Sequence, residues 1–253
     1  LIRQAGSEHA TSVTIDLERQ WFTLRTDQEL EPGTAELYFE YAGNYCKNLV
    51  GLYTSEFDLD GTTRRLAVSQ CESTHARRIL PCFDEPAFKA TFEVTLEVPV
   101  ELTAISNGAE IERTVHHRTG SSGHDGEDTR DDGEDTRDDG EDTVTVRFAP
   151  TMVMSSYLLA IVVGPLEITE APDVQGRERL IPLRIVHPPG KGHLSGFAIE
   201  VANAALRYFE DYYDLAYPGD KVDLIAIPDF AFGAMENLGC ITFREVLLLV
   251  DPD

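Results

Sequence analysis

The chain has 253 residues, of which 42% are hydrophobic, and a formal net charge of −24; that is long and apolar enough for one large domain or two modest ones with a real core. Its 45 acidic residues outnumber 21 basic ones, and such a surface repels phosphate backbones, which excludes nucleic acid as a partner. The longest apolar stretch, residues 157–163, falls far short of the roughly 20 residues a membrane helix requires, so no membrane span is expected.

The first two thirds read as β structure. Val13, Ile15 and Leu17 alternate with Thr14 and Asp16, a period of two that predicts a strand with one buried face. Phe92, Val94, Leu96 and Val98 alternate with Glu93, Thr95 and Glu97 in the same way. Similar short runs occur at 35–41, 144–148, 157–163 and 180–186, separated by turn formers such as Pro32-Gly33, Asn107-Gly108 and Gly164-Pro165. Many short strands with polar outer faces predict an antiparallel sandwich.

An acidic insertion at 119–143 interrupts this pattern. The unit Gly126-Glu127-Asp128-Thr129-Arg130-Asp131-Asp132 repeats at 133–139 and begins again at Gly140. A tandem repeat with almost no apolar side chains cannot offset its ordering entropy by burial, which predicts a disordered hairpin insertion. A calcium loop is disfavoured, because the EF-hand spacing is missing and Arg recurs within each unit.

The period then changes. Leu194, Phe197, Val201, Ala205, Tyr208 and Tyr212 recur at helical spacing, predicting an amphipathic helix over 195–213 with Pro218-Gly219 as a stop signal. Strands are expected at 221–227 and 241–250. Pro188, Pro189 and two glycines cluster where the period shifts, which sets an expected boundary between a β domain at 1–187 and a second domain at 188–253. Cys46, Cys71, Cys82 and Cys240 show no Cys-x-x-Cys spacing; free, mostly buried thiols are expected, and with them a reducing, cytoplasmic compartment.

Two segments carry chemistry. Phe232-Gly233-Ala234-Met235-Glu236-Asn237 lies between two apolar β-like runs, so it is expected on an extended segment with backbone groups open to a peptide. Residues 70–92 contain Gln70-Cys71-Glu72, Ala76-Arg77, Pro81-Cys82-Phe83-Asp84-Glu85-Pro86 and Lys89-Ala90. Both resemble the zinc aminopeptidases of the M1 family, aminopeptidase N-like, whose box is Gly-Ala-Met-Glu-Asn. Further similarity runs through Met154-Ser155-Ser156-Tyr157-Leu158-Leu159-Ala160, Val162-Val163-Gly164, residues 208–217 and Thr242-Phe243-Arg244-Glu245, so the match is collinear over most of the chain.

The resemblance implies a mainly β fold: an antiparallel, saddle-like β-sandwich followed by the first helix and sheet of a thermolysin-like α/β catalytic domain. It implies peptide substrates with a free N-terminus. An exopeptidase must measure one residue inward from that terminus, and two converging carboxylates give its ammonium charge-assisted hydrogen bonds that a blocked terminus cannot make. By resemblance the two are Glu72 and Glu236. Gln70 would add a polar contact, Phe232 would wall the pocket, and Gly233 and Ala234 would present backbone groups to the substrate as strand addition to a sheet edge. Met235 is read as a core or pocket filler and Asn237 as the end of the box.

The family's zinc belongs to the full-length parent. None of the seven histidines opens a His-Glu-x-x-His, so no zinc ligand and no catalytic residue is expected here, and the chain by itself is expected to be inactive. Leu1 opens inside a running strand, and the front part of a longer enzyme is the expected reading. Arg77, Asp84 and Glu85 are read as a buried ion-pair network bracing a loop, and His75, His187 and His193 as ordinary loop or core histidines. Leu238, Cys240 and Phe243 depart from the family pattern as packing changes. Two alternatives stay open: a leukotriene A4 hydrolase-like bifunctional enzyme, suggested by Gln70-Cys71 and Arg78-Ile79-Leu80-Pro81-Cys82, and a non-catalytic interaction scaffold of the same architecture. The sequence sets no oligomeric state.

Overall fold

The computed structural model describes residues 1–117 and 142–251. The acidic insertion lies outside the described residues except for Asp142 and Thr143. Hairpin β1 (Thr11–Asp16) and β2 (Trp21–Thr26) pairs in the register Ile15 to Phe22. Its alternation does not build the buried face expected of it, since Val13, Ile15 and Leu17 remain 55%, 68% and 86% exposed. The hairpin forms a sheet of its own, and period two sorts side chains to a face without supplying anything to cover it.

A second, longer hairpin does reach the core. β3 (Gly51–Leu59) and β4 (Thr62–Gln70) turn at Asp60-Gly61, where both residues have positive φ, as the tight hairpin turns require. After them come β5 (Thr95–Pro99), β6 (Thr103–Ser106), β7 (Glu110–His116), β8 (Thr143–Phe148) and β9 (Ile161–Gly164). Strands β6, β9, β4 and β3 form one antiparallel sheet in that order, and β7, β8 and β5 form another. The run at 157–163 is not one strand, because a 3-10 turn occupies Ser156–Leu158 before β9 begins. There the Asn107 Oδ1 accepts the Ala160 N–H at 2.8 Å, a side chain standing in for a strand partner.

Further along come β10 (Glu167–Glu170), β11 (Leu183–His187), α1 (Gly196–Tyr213), β12 (Val222–Ile227), β13 (Ala234–Met235), β14 (Cys240–Arg244) and α2 (Glu245–Leu248). The five strands form a mixed sheet ordered β10, β11, β12, β14, β13, parallel in the middle and antiparallel at both margins. Strands on either side of residue 188 therefore share one sheet. The apolar run at 241–250 also divides: β14 stops at Arg244 and α2 follows, a turn that buries Leu248 and Leu249 while Val246 and Leu247 stay exposed.

Parallel strands are buried on both faces, and β12 is buried throughout. Ile225 and Ile227, with Val186, Met235 and Cys240, face Tyr53, Leu66, Val68, Ile105 and Val162 of the four-stranded sheet. Val222, Leu224 and Ala226 turn the other way, toward Ala198 of α1. The helix begins and ends within a residue of expectation, closing at Asp214 in the left-handed region (φ 53°). Its buried face differs, however. Ala198, Ala202 and Leu206 lie against the sheet, whereas Phe197, Val201, Tyr208 and Tyr212 of the anticipated stripe are exposed. Small residues permit the closer approach of helix to sheet, and Phe197, Val201, Phe209 and Tyr213 line an open apolar groove of about 500 Å³ with Tyr217, Phe243 and Leu247. Among the described residues no helix is long and apolar enough to cross a membrane.

One charge cluster lies where the two sheets meet. Asp223 is fully buried and receives both arms of Arg184, Nε to Oδ1 and Nη2 to Oδ2, each at 2.7 Å. Lys221, 4% exposed, pairs with Asp223 Oδ2 at 2.7 Å and donates to the carbonyls of Ser106 (2.9 Å) and Gly239 (2.7 Å). Such a cluster tolerates burial because nearly every charge finds a partner, and removing one member leaves the others stranded. Asp223→Ala is accordingly expected to cost about 3–5 kcal/mol of unfolding free energy in urea titrations, against a much smaller loss for surface carboxylates such as Glu8. A loss below about 1 kcal/mol would show that water already screens the cluster.

Candidate functional site

The structure places the eight sequence-predicted residues at two chain ends that share one core. On β4, Leu66, Val68 and Gln70 follow the period of two, so Gln70 extends the row that faces the mixed sheet. It is 1% exposed, and neither its amide nitrogen nor its amide oxygen has a hydrogen-bond partner. Glu72 follows immediately after the strand; its peptide bond to Ser73 is cis, its side chain is exposed, and it has no hydrogen-bond or ion-pair partner among the described residues.

The loop after Glu72 is braced from behind. Asp84, 3% exposed, accepts the backbone N–H and the Nε–H of Arg77 at 3.0 Å each, and the Ser156 hydroxyl at 2.8 Å. Two members of the anticipated network are thus paired, while Glu85 is exposed and stands apart. His187 has both ring nitrogens engaged, by Thr169 and the carbonyl of Pro188, and His75 and His193 lie in turns. Among the described residues no group of three or more His, Cys, Asp or Glu side chains is arranged to hold a metal ion.

The second end is the box. β13 is the outermost strand of the mixed sheet and pairs only with β14, Ala234 against Phe243 and Met235 against Thr242. The carbonyl of Gly233 accepts the Arg244 N–H at 2.9 Å. Antiparallel alternation therefore turns the backbone groups of Gly233 and Met235 into the sheet and those of Ala234 out to its free edge. Met235, 3% exposed, fills the core shared with Val68 and Tyr53. Phe232 is 45% exposed with its ring 6.3 Å from that of Phe230. Glu236 is exposed without a partner among the described residues, whereas Asn237 is 1% exposed with an unpaired Nδ2.

Among the described residues, buried side-chain polar atoms without partners fall on the end of β4, on the box, and on β14 and α2. They are both ends of the Gln70 amide, Asn237 Nδ2, Thr242 Oγ1 on the strand beside the box, and Glu245 Oε2 just beyond it. Each such group costs about 1–3 kcal/mol if nothing satisfies it. Thr242 and Glu245 appeared in the sequence only as family-like residues; their pairing beside Met235 and at the start of α2 comes from the fold alone.

Comparison with known proteins agrees with this layout. The Peptidase M1 N-terminal domain matches residues 2–124, and the Peptidase family M1 domain matches residues 197–253. Aminopeptidase M1-B of Oryza sativa subsp. japonica is 39% identical over 88% of this chain and 22% of its own length. The puromycin-sensitive aminopeptidase of Caenorhabditis elegans is 37% identical over 100% of this chain and 24% of its own length. Aminopeptidase N of Bos taurus is 38% identical over 92% and 22% respectively. The chain spans about a quarter of the length of the curated relatives it matches.

All four cysteines are free, Cys71 and Cys240 among the most buried side chains. Burial, reinforced by the charge of Asp84, pushes the Cys71 thiol up to about 12, and burial does the same to Cys240. A thiol whose folded pKa exceeds its unfolded value of 9.0 stays neutral in the fold while the unfolded form ionises. Its contribution to stability is complete below pH 9 and falls as the pH rises toward 12. Native-state alkylation by iodoacetamide at pH 8 is expected to label Cys71 and Cys240 at least ~100-fold more slowly than in urea; equal rates would refute the burial.

Proposed function

This chain belongs to peptidase family M1, and on that premise we propose that it provides the α-amine and backbone recognition of a zinc aminopeptidase, with Gln70, Glu72, Phe232, Gly233, Ala234, Met235, Glu236 and Asn237 as the substrate-binding set. The observation that carries this reading is that Val68 of β4, the strand that leads to Glu72, and Met235 of the box, beside Glu236, pack in one core next to an open sheet edge.

Glu72 and Glu236 are the charged part of the set. An ammonium group held between two carboxylates makes charge-assisted hydrogen bonds about twice as strong as neutral ones, and neither side chain has a competing partner among the described residues. Ala234 supplies the backbone groups at the open edge, so a bound peptide lies antiparallel to β13 as an added strand. The glycine before it supports the same reading. A Cβ on Gly233 would lie 3.4 Å from Leu247 Cδ1, an ordinary contact, so the protein's own packing does not demand glycine there; close approach by a ligand does.

Zinc, which the resemblance assigns to the parent enzyme, does not fit any residue set described in this chain. The part played here is binding and orientation of the peptide, with bond cleavage carried out by residues elsewhere in the parent. The four free thiols support a reducing, cytoplasmic setting for that parent.

The test is a calorimetric titration of the chain with leucinamide and with N-acetyl-leucinamide. The free amine is expected to bind at least ~10-fold more tightly, with binding falling above pH ~8 as the ammonium loses its proton. Glu236→Ala is expected to cost leucinamide about 1.5–3 kcal/mol, the worth of a hydrogen bond to a charged group, and to leave the acetylated ligand unaffected. Equal affinity for the two ligands would remove the basis for amine recognition.

A further inference from the structure

Within residues 229–239 the two-residue strand β13 sets Met235 against Thr242 of β14, which places Glu236 relative to the mixed sheet but not relative to the four-stranded sheet that leads to Glu72. Chain length does not fix that second relation. The nine steps from Asp229 to Leu238 can reach about 30 Å when extended, while crossing a four-stranded sheet takes three interstrand steps of about 4.8 Å. The segment has roughly twofold slack, and hydrogen bonds at its two ends tie it to the four-stranded sheet.

At the leading end Arg244 of β14 donates to the carbonyls of Phe230 (3.2 Å) and Ala231 (2.9 Å), and the pins to the four-stranded sheet come from β3. The Asp229 carboxylate accepts the Glu56 N–H at 2.8 Å, the Asp229 N–H donates to the Ser55 hydroxyl at 2.8 Å, and the Asp229 carbonyl accepts the Tyr53 hydroxyl at 3.0 Å. At the trailing end the pins come from the end of β6. The Asn107 amide donates to the carbonyls of Leu238 (2.9 Å) and Leu158 (2.8 Å), and Lys221 joins the carbonyls of Ser106 and Gly239. Gly239 is wedged tightly at this point, with φ +72° and a hypothetical Cβ only 2.3 Å from the Asn107 carbonyl oxygen.

β3 and β6 are the two outer strands of the same sheet, and β4, which ends in Gln70 and leads to Glu72, lies between them. We propose that Asp229 and Asn107 are positioning residues for amine recognition: they stretch the box across the four-stranded sheet and so set the separation of Glu236 from Glu72. This rests on the amine-binding reading above. Neither carboxylate has a partner of its own among the described residues, so the two pins, with the pairing of β13 to β14, orient the pair before a ligand arrives. Preorganisation of this kind raises affinity by removing the ordering cost from the binding step.

The experiment compares the wild-type chain with Asp229→Ala, Asp229→Asn and Asn107→Ala, using leucinamide and N-acetyl-leucinamide as probes, with amide hydrogen exchange on each protein. Asp229 has an exposed side chain, and its replacement keeps the two backbone bonds to Ser55 and Tyr53 while removing the carboxylate that accepts the Glu56 N–H. In Asp229→Ala and Asn107→Ala the preference for the free amine is expected to fall at least ~10-fold, toward no discrimination, and amides at 230–239 to exchange ~10-fold faster while those of β12 are unchanged. Asp229→Asn keeps an oxygen for the Glu56 N–H and is expected to retain discrimination within ~3-fold of wild type. A purely structural role would weaken both ligands equally. A wild-type chain that discriminates, with Asp229→Ala discriminating as well, overturns the positioning role and leaves the amine reading standing. A wild-type chain that takes both ligands alike overturns the amine reading and the positioning role with it.

Discussion

A single apolar layer, in which Tyr53 and Val68 of an antiparallel sheet meet Ile225 and Met235 of a mixed one, decides where the other parts of this molecule sit. Two sheets can pack face to face only if both present apolar sides, and β12 can do so because it is buried on both of its faces. Once that layer forms, the ends of β4 and of β13 are brought to the same region although more than 160 residues separate them. The polar groups of the site are then arranged around the layer, with Gln70 continuing the Leu66 and Val68 row and Met235 anchoring the box from beneath.

Charge follows the same geometry. The Arg184, Asp223 and Lys221 cluster lies at the edge of the apolar layer, and through Ser106 and Gly239 it ties one sheet to the other. Buried ion pairs seldom add much net stability, but they penalise any arrangement that separates their members. Here that penalty falls on sliding of the two sheets. At Glu72 and Glu236 the condition is the opposite, since neither has an ion-pair partner among the described residues.

The helix and the amino-terminal hairpin show the limits of periodicity. Val13, Ile15 and Leu17 alternate as a buried strand should, yet their hairpin has no covering sheet. On α1 both the aromatic stripe and the alanine stripe repeat at helical spacing, and the sheet selects the alanines because they allow closer contact. The strand run beyond Ile241 fails for a related reason: VLLLV has no alternation to resist a helical turn, and Leu248 and Leu249 gain burial by taking one. In each case hydrophobicity was legible, and the identity of the partner surface was not.

The amino-acid sequence by itself determined the β character of the first two thirds, the helix from Gly196 to Tyr213, and the family through Gln70-Cys71-Glu72 and the Gly233 to Asn237 box. These are local properties, carried by residue spacing and by short strings that need no knowledge of distant contacts. Only the tertiary structure decided that β11 and β12 share a sheet across the expected boundary, that Ala234 turns to the open edge, and that Asp229, Asn107 and Lys221 hold the box at both ends. Asn107-Gly108 reads in sequence as an ordinary turn and Lys221 as the start of a strand. Their roles arise from hydrogen bonds that include partners more than a hundred positions away, Leu238 for Asn107 and Ser106 for Lys221, and no periodicity or motif records a bond of that range.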